Sequence, residues 1–318
     1  MRIFKEPIRF NTFAALHLLL LVSFTSPFQA QSEPPGNLPR FLEKRLLNEI
    51  CPVETNAVAR RVFKEYGAVF AADASVRIPN KCIYSNESEV QEFQKQLAIK
   101  NAIIRGIYIE LQKPAMESLL QAIAEVSAKG LTITPLDGSI AARRSYFDTA
   151  RLWSSRFLPA LYYWVSEDKI SQEESAAARS ARIQKQVEMV IDWESKGMYF
   201  STNFSKSIFS SVAPPGTSQH ISLLAFDVVE HANPDIRDVL NKHGWFQTIA
   251  SDATHFTFVG VKEADLPARG LKLVESGGQR YWIPNTVPGT CKTPRVIKDE
   301  IVPNIECIAL TNVRGSAV

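Results

Sequence analysis

The sequence predicts a mixed α+β protein, with a small sheet flanked by helices and a small helical region ahead of it. Three observations predict this. Long stretches place apolar residues at helical spacing, as with Met116, Leu119, Leu120, Ile123 and Val126. Short β-branched or alternating runs at 107–111, 223–229 and 255–259 fall between those stretches. The two periods separate helix from strand. Neither G-x-G-x-x-G nor G-x-x-x-x-G-K-S/T occurs, so the Gly-rich loops of nucleotide-binding α/β folds are missing.

The chain has 318 residues, 45% of them hydrophobic and 22% charged. That length suits one or two domains with a sizeable core. Residues 1–30 read differently. Arg2, Lys5 and Arg9 precede an apolar run from Phe13 to Phe24, and Phe28-Gln29-Ala30 offers a cleavage site before Gln31. This is the pattern of a secretory signal peptide. Its run is shorter than the ~20 residues that span a bilayer, so no stable membrane span is expected after cleavage; the competing reading is an uncleaved N-terminal anchor. The leader carries three basic residues and one acidic residue, Glu6, so its removal lowers the formal net charge from +3 to +1. A near-neutral mature chain gives no electrostatic case for nucleic acid.

Export agrees with four cysteines, at 51, 82, 291 and 307, an even number suited to an oxidising compartment. Three pairings are open. Cys51–Cys82 and Cys291–Cys307 are favoured because each brackets a local segment. No C-x-x-C spacing supports a cysteine metal site.

In chain order, 31–38 is a Pro/Gly/polar linker. Residues 39–70 show helical spacing through Val58, Val62, Phe63 and Tyr66, and helix returns at 89–97. Residues 31–98 are therefore read as a helical N-terminal region, 99–290 as the main domain and 291–318 as a C-terminal tail, possibly closed by a disulfide. Within the main domain, 107–111 reads as extended, 114–129 as a helix stopped by Gly130, 131–134 as a short strand and 145–165 as a long aromatic-rich helix. One further helix is expected over 171–193, opened by Ser171 with Glu174 three residues on, a capping box. Residues 223–229 form a strand, 234–243 a helix and 255–259 a strand.

The chemistry concentrates in two stretches. His220 and Asp227 lie seven residues apart after a Pro214-Pro215-Gly216 turn, and His255 follows later. A catalytic zinc takes three protein ligands and keeps one open position, and His220, Asp227 and His255 supply that number. Strand alternation puts Ala225 and Asp227 on one face. Asp252, three residues before His255, supplies a carboxylate of the kind that moves protons at such a metal.

These residues carry a resemblance. Pro215-Gly216-Thr217-Ser218-Gln219-His220-Ile221-Ser222-Leu223-Leu224-Ala225-Phe226-Asp227 resembles the P-G-x-S-x-H-x-x-G-x-A-x-D motif of the VanY-type zinc D-alanyl-D-alanine carboxypeptidases, whose fold is shared with the hedgehog signalling domain. Leu223 stands in place of the inner glycine. Asp252-Ala253-Thr254-His255-Phe256-Thr257-Phe258-Val259-Gly260 resembles E-x-W-H-F-x-x-V-G, with Asp252 for the catalytic Glu and Thr254 for Trp. A weaker third motif, Y-R-S-x-x-x-Q, stands as Arg143-Arg144-Ser145 followed by Thr149 at the last position. The resemblance covers residues 110–262.

The resemblance implies a hedgehog/DD-peptidase-like domain with a small antiparallel sheet. It implies Zn2+ on His220, Asp227 and His255, with Asp252 as general base and Arg144 as the cation that holds the developing oxyanion. Ser218, Thr149 and Arg144 would contact substrate. The implied substrate is the D-Ala-D-Ala end of a peptidoglycan stem peptide, cut in the periplasm or outside the cell. The alternatives are an L,D-carboxypeptidase, a wall endopeptidase, or a catalytically impaired zinc-binding module of the cell wall.

Overall fold

The computed structural model describes residues 50–53 and 55–286, together with the strand residues 296–297 and 300–301. The leader, the linker, the helical pattern before residue 50 and the Cys291–Cys307 pair lie outside the described residues. No helix among the described residues is long and apolar enough to cross a membrane.

The fold is mixed α+β with small antiparallel sheets. Helix α1 (Ala57–Tyr66) is capped by the Asn56 side chain and buries Val58, Val62, Phe63 and Tyr66 on one face. A 3-10 turn, Gly67–Ala71, continues it. The Cys51–Cys82 disulfide, as favoured from sequence, ties the start of this segment to the following loop. Closing a loop of this length contributes roughly 3–4 kcal/mol in the chain-entropy account. Helix α2 (Glu87–Gln94) starts earlier than its apolar spacing suggests, because Asn86 caps it. A hairpin follows, β1 (Ile99–Ile104) and β2 (Ile107–Gln112), paired antiparallel from Ile99↔Gln112 to Ile104↔Ile107. Strand β1 escapes sequence reading because its Lys100 and Asn101 interrupt the apolar run.

Helix α3 (Lys113–Ala128) begins with Pro114 in its first turn, where a missing N–H costs nothing. Helix α4 (Tyr146–Ser166) opens with a capping box between Ser145 and Asp148. The single helix expected over 171–193 is two, α5 (Gln172–Ser180) and α6 (Ile183–Ser195). The expected Ser171/Glu174 box does open α5. The break comes at Ala181 and Arg182, whose backbones are extended. There the Gln186 amide donates to the Ala178 carbonyl at 3.0 Å and its oxygen accepts from the Trp153 indole at 2.7 Å. One side chain thus adds a second, shorter donor to a helix-end carbonyl that the Ala181 N–H reaches only at 3.3 Å, and satisfies a buried core donor, which an unbroken helix would not allow.

The site rests on the next elements: β3 (Ala225–Asp227), helix α7 (Pro234–Lys242), β4 (Trp245–Gln247) and β5 (His255–Phe258). Their sheet runs in the order β3-β5-β4, all antiparallel. Phe226 pairs with Phe256 and both are fully buried in the main core with Trp245. That core runs from Cys51 to Phe258, so α1 and the sheet share it. Strand alternation then turns Asp227 and its partner His255 to the opposite face. The strand expected at 131–134 does not form. Thr134 instead gives its N–H and hydroxyl to the Glu230 carboxylate at 2.8 and 2.7 Å, and only Pro135 bridges to Val228. A side-chain acceptor replaces the ladder bond. After residue 260 come β6 (Leu271–Ser276) and β7 (Gln279–Pro284), an antiparallel hairpin, and β8 (Val296–Ile297) with β9 (Glu300–Ile301).

Candidate metal site

Two backbone features shape the loop that carries His220. Gly216 has φ +78°, and a Cβ there would collide with the Tyr84 carbonyl oxygen. Only glycine fits a positive φ against a neighbouring backbone at this distance. Tyr84 N–H in turn donates to Gly216 C=O at 2.9 Å, which anchors the turn. Ser218 then caps a short 3-10 turn, Gln219–Ser222, which ends at Leu223 in the left-handed region, φ 58° and ψ 30°. A glycine is the usual residue at such a position. Leu223 adopts it with its side chain fully buried.

The sheet register and this turn bring His220, Asp227 and His255 together. His220 Nε2 lies 3.1 Å from His255 Nδ1 and 3.3 Å from Asp227 Oδ1. His255 Nδ1 lies 3.1 Å from the same Oδ1. The three residues are 1%, 5% and 2% exposed.

Their outer atoms determine what the inner ones can be. His220 Nδ1 lies 2.9 Å from the Ala142 carbonyl, which can only accept, so Nδ1 carries the proton and Nε2 a lone pair. Gln219 gives its amide N–H to the Tyr66 carbonyl at 2.8 Å. Its oxygen therefore faces His255 Nε2, 2.8 Å away, which must be the donor. His255 Nδ1 is thus also a lone pair. Thr257 adds a second donor to the same Gln219 oxygen. Arg144 holds the far oxygen of Asp227 at 2.6 Å and gives its Nε–H to the Ile140 carbonyl at 3.0 Å.

Three acceptor atoms therefore face one another across 3.1–3.3 Å. Zinc bonds of ~2.05 Å at tetrahedral angles separate their ligand atoms by ~3.3 Å. The donor set, two imidazoles and a carboxylate, suits zinc, and imidazoles oriented by a carbonyl and an amide are what metal ligands require. A proton does not fill the gap at neutral pH through His220. Burial, followed by the Arg144 charge, pushes its pKa down to about 4 against the pull of Asp227. Burial alone would raise Asp227; the charge and hydrogen bond that His220 gains once acid protonates it outweigh this and hold the carboxylate well below its usual range.

The other residues singled out from sequence stand elsewhere around this cluster. Ser218 Oγ accepts from the His220 N–H at 3.4 Å. Thr149 is 1% exposed, donates to the Tyr146 carbonyl at 2.7 Å and accepts from the Gly216 N–H at 3.1 Å, so it steadies the turn from behind. Asp252 is half-buried and outside the three-residue cluster. Its Oδ1 accepts from Thr254 N–H at 3.2 Å and Thr254 hydroxyl at 2.7 Å, an Asx turn leading into β5. Sequence reading missed Gln219, Thr257 and the Ala142 carbonyl. Thr257 carried a signal, since two residues beyond His255 on a strand is the same face. Gln219 sits at a variable position of the motif, and a backbone carbonyl leaves no trace in sequence.

No known family's sequence profile matches the chain, and no curated protein does. Among solved structures the chain is similar to the LdcB LD-carboxypeptidase, whose structure is described as revealing the molecular basis of peptidoglycan recognition. The identity is 15% over 54% of this chain and 68% of that one, with a TM-score of 0.29.

Proposed function

We propose that this chain is a zinc-dependent peptidase that trims peptidoglycan stem peptides, in the first place as a D-Ala-D-Ala carboxypeptidase. The observation that carries the metal reading is the triangle of three lone-pair atoms at tetrahedral spacing, with each outer atom already satisfied. The substrate class rests on the P-G-x-S-x-H and H-F-x-x-V-G frames around those atoms. Bound zinc would act as a Lewis acid and bring the pKa of a coordinated water toward ~7.

His220 Nε2, His255 Nδ1 and Asp227 Oδ1 would hold the metal. Arg144 spends one N–H on Asp227 and one on Ile140; its remaining N–H groups are the fixed positive donors for a developing oxyanion. Asp252 takes the proton from the attacking water and returns it to the leaving D-alanine. Thr254 engages only Oδ1, so Oδ2 carries that transfer. The Ser218 hydroxyl, which accepts from His220, keeps its own proton for a substrate oxygen.

A second reading is a zinc-binding cell-wall module without turnover. The near-complete burial of the three ligands and the local engagement of Asp252 favour it.

The test is bound zinc in the purified secreted chain together with D-alanine release from a pentapeptide ending in D-Ala-D-Ala, with and without a chelator. We expect one zinc per chain, chelator-sensitive release, and loss of both in His255→Ala. Zinc without release would favour the module, unless digestion of muropeptides shows another wall bond cut. Absence of zinc would overturn the reading.

A further inference from the structure

We infer that Gln219 is a positioning residue that sets the tautomer of His255, and that the carbonyl of Tyr66 on α1 fixes Gln219 in that role. The inference rests on the metal reading above but concerns a variable position of the motif and reaches Tyr66, outside the resemblance.

The argument is a chain of forced hydrogen-bond directions. The Tyr66 backbone carbonyl can only accept, so the Gln219 group 2.8 Å away is its N–H. The Gln219 oxygen is then committed to the other side, where His255 Nε2 stands at 2.8 Å and the Thr257 hydroxyl also donates. Thr257 is itself held by Thr248 at 2.7 Å. Gln219, Thr248 and Thr257 are all buried, where an unpaired polar group costs more than its hydrogen bond returns. The amide therefore cannot flip without stranding several partners.

What this prevents can be read from the other side of the ring. Asp227 Oδ1 lies 3.1 Å from His255 Nδ1. Without the Gln219 oxygen, the His255 proton would move to Nδ1 and donate to that carboxylate, a charge-assisted bond. The lone pair that should face a metal would then be consumed. Gln219 makes the opposite tautomer the favourable one and keeps the triangle open for a cation. Helix α1 thereby acquires a part in the site: its last residue supplies the carbonyl that orients the amide.

The experiment compares wild type, Gln219→Ala and Gln219→Glu. Zinc affinity is measured by competition with a chromophoric chelator. The His255 tautomer is read in the metal-free protein from long-range 1H–15N correlations, with His255→Gln for assignment. We expect the Nε2–H form in wild type, a shift toward Nδ1–H in Gln219→Ala, and zinc affinity lower by ~10–100-fold in that variant. Gln219→Glu keeps an oxygen facing His255 and loses only the donor to the Tyr66 carbonyl, so it should keep the Nε2–H tautomer and recover part of the affinity lost in Gln219→Ala, which a general packing defect would not. Gln219→Met replaces the Ala variant if the latter does not fold. The inference is overturned if metal-free wild type shows Nδ1–H, or if Gln219→Ala or Gln219→Met binds zinc within twofold of wild type. Failure of wild type to bind zinc would refute the zinc reading instead, while the tautomer measurement would still decide the role of Gln219.

Discussion

The three-atom cluster and the turn at 251–254 meet in the motif that carries both Asp252 and His255, yet they are built in opposite ways. Around His220, Asp227 and His255 every outer atom has a partner from a different element: a carbonyl at 142, an amide at 219, a guanidinium at 144. Asp252 is held by its own neighbour, Thr254, two residues away. The geometry of the three facing atoms is over-determined by tertiary contacts, whereas the proposed base is placed by a local turn. Groups that a metal must meet to within fractions of an ångström need such support. A carboxylate that accepts and returns a proton can be held by less.

Acid should attack the first region most strongly. His220 has a folded pKa of about 4 against ~6.5 in the unfolded chain. Between those values the unfolded chain takes up a proton that the folded chain refuses, so stability falls as pH is lowered. The loss is roughly 3 kcal/mol from pH 7 to 4 for this group. Asp227 has the same sign: its depressed folded pKa contributes stability present above the unfolded value and lost as pH falls through the folded one. Urea midpoints of the metal-free protein from pH 7 to 4 should decline through this window. A flat profile would mean that the cluster is not built as an acceptor triangle.

The second region is tested by Asp252→Asn. It should lower D-alanine release by ~100-fold or more, the scale of a lost general base. Zinc affinity should stay within about threefold and folding stability within ~1 kcal/mol, because asparagine keeps the oxygen that caps the turn. Equal losses of metal and activity would erase the contrast and place Asp252 within the metal cluster's support. The smallest effect concerns Leu223, which joins His220 to Asp227. Leu223→Ala keeps the left-handed strain and loses buried surface, while Leu223→Gly loses the same surface and relieves ~1–2 kcal/mol of strain. The Gly variant should therefore be more stable than the Ala variant by ~1 kcal/mol in urea unfolding, a reversal of the usual order. The usual order would mean that Leu223 is not held in the left-handed region.

Much of the fold was legible because its signals are local. The apolar faces of α3 and α4, the capping box of α5 and the Pro at the start of α7 follow from short-range chemistry. The sheet strands that the site needs were also visible, as β3 and β5 alternate. Strand β4 and the break between α5 and α6 were not, since one depends on burial in a sheet and the other on what Gln186 reaches. The three side chains that converge were legible through motif and spacing, and so was the Cys51–Cys82 bond. Gln219 and the Ala142 carbonyl were not, because a hydrogen-bond partner 35 or more residues away leaves no periodicity.

The sequence by itself determined which side chains can ligate a metal: two histidines and an aspartate in a recognisable frame, with Asp227 and His255 on strands whose period fixes their face. Only the tertiary structure decided which atoms of those side chains are free to do so. A histidine has two nitrogens, and its proton goes where the other neighbour accepts it. Here those neighbours are the Ala142 carbonyl and the Gln219 amide, the latter turned by Tyr66 from a helix more than 150 residues earlier in the chain.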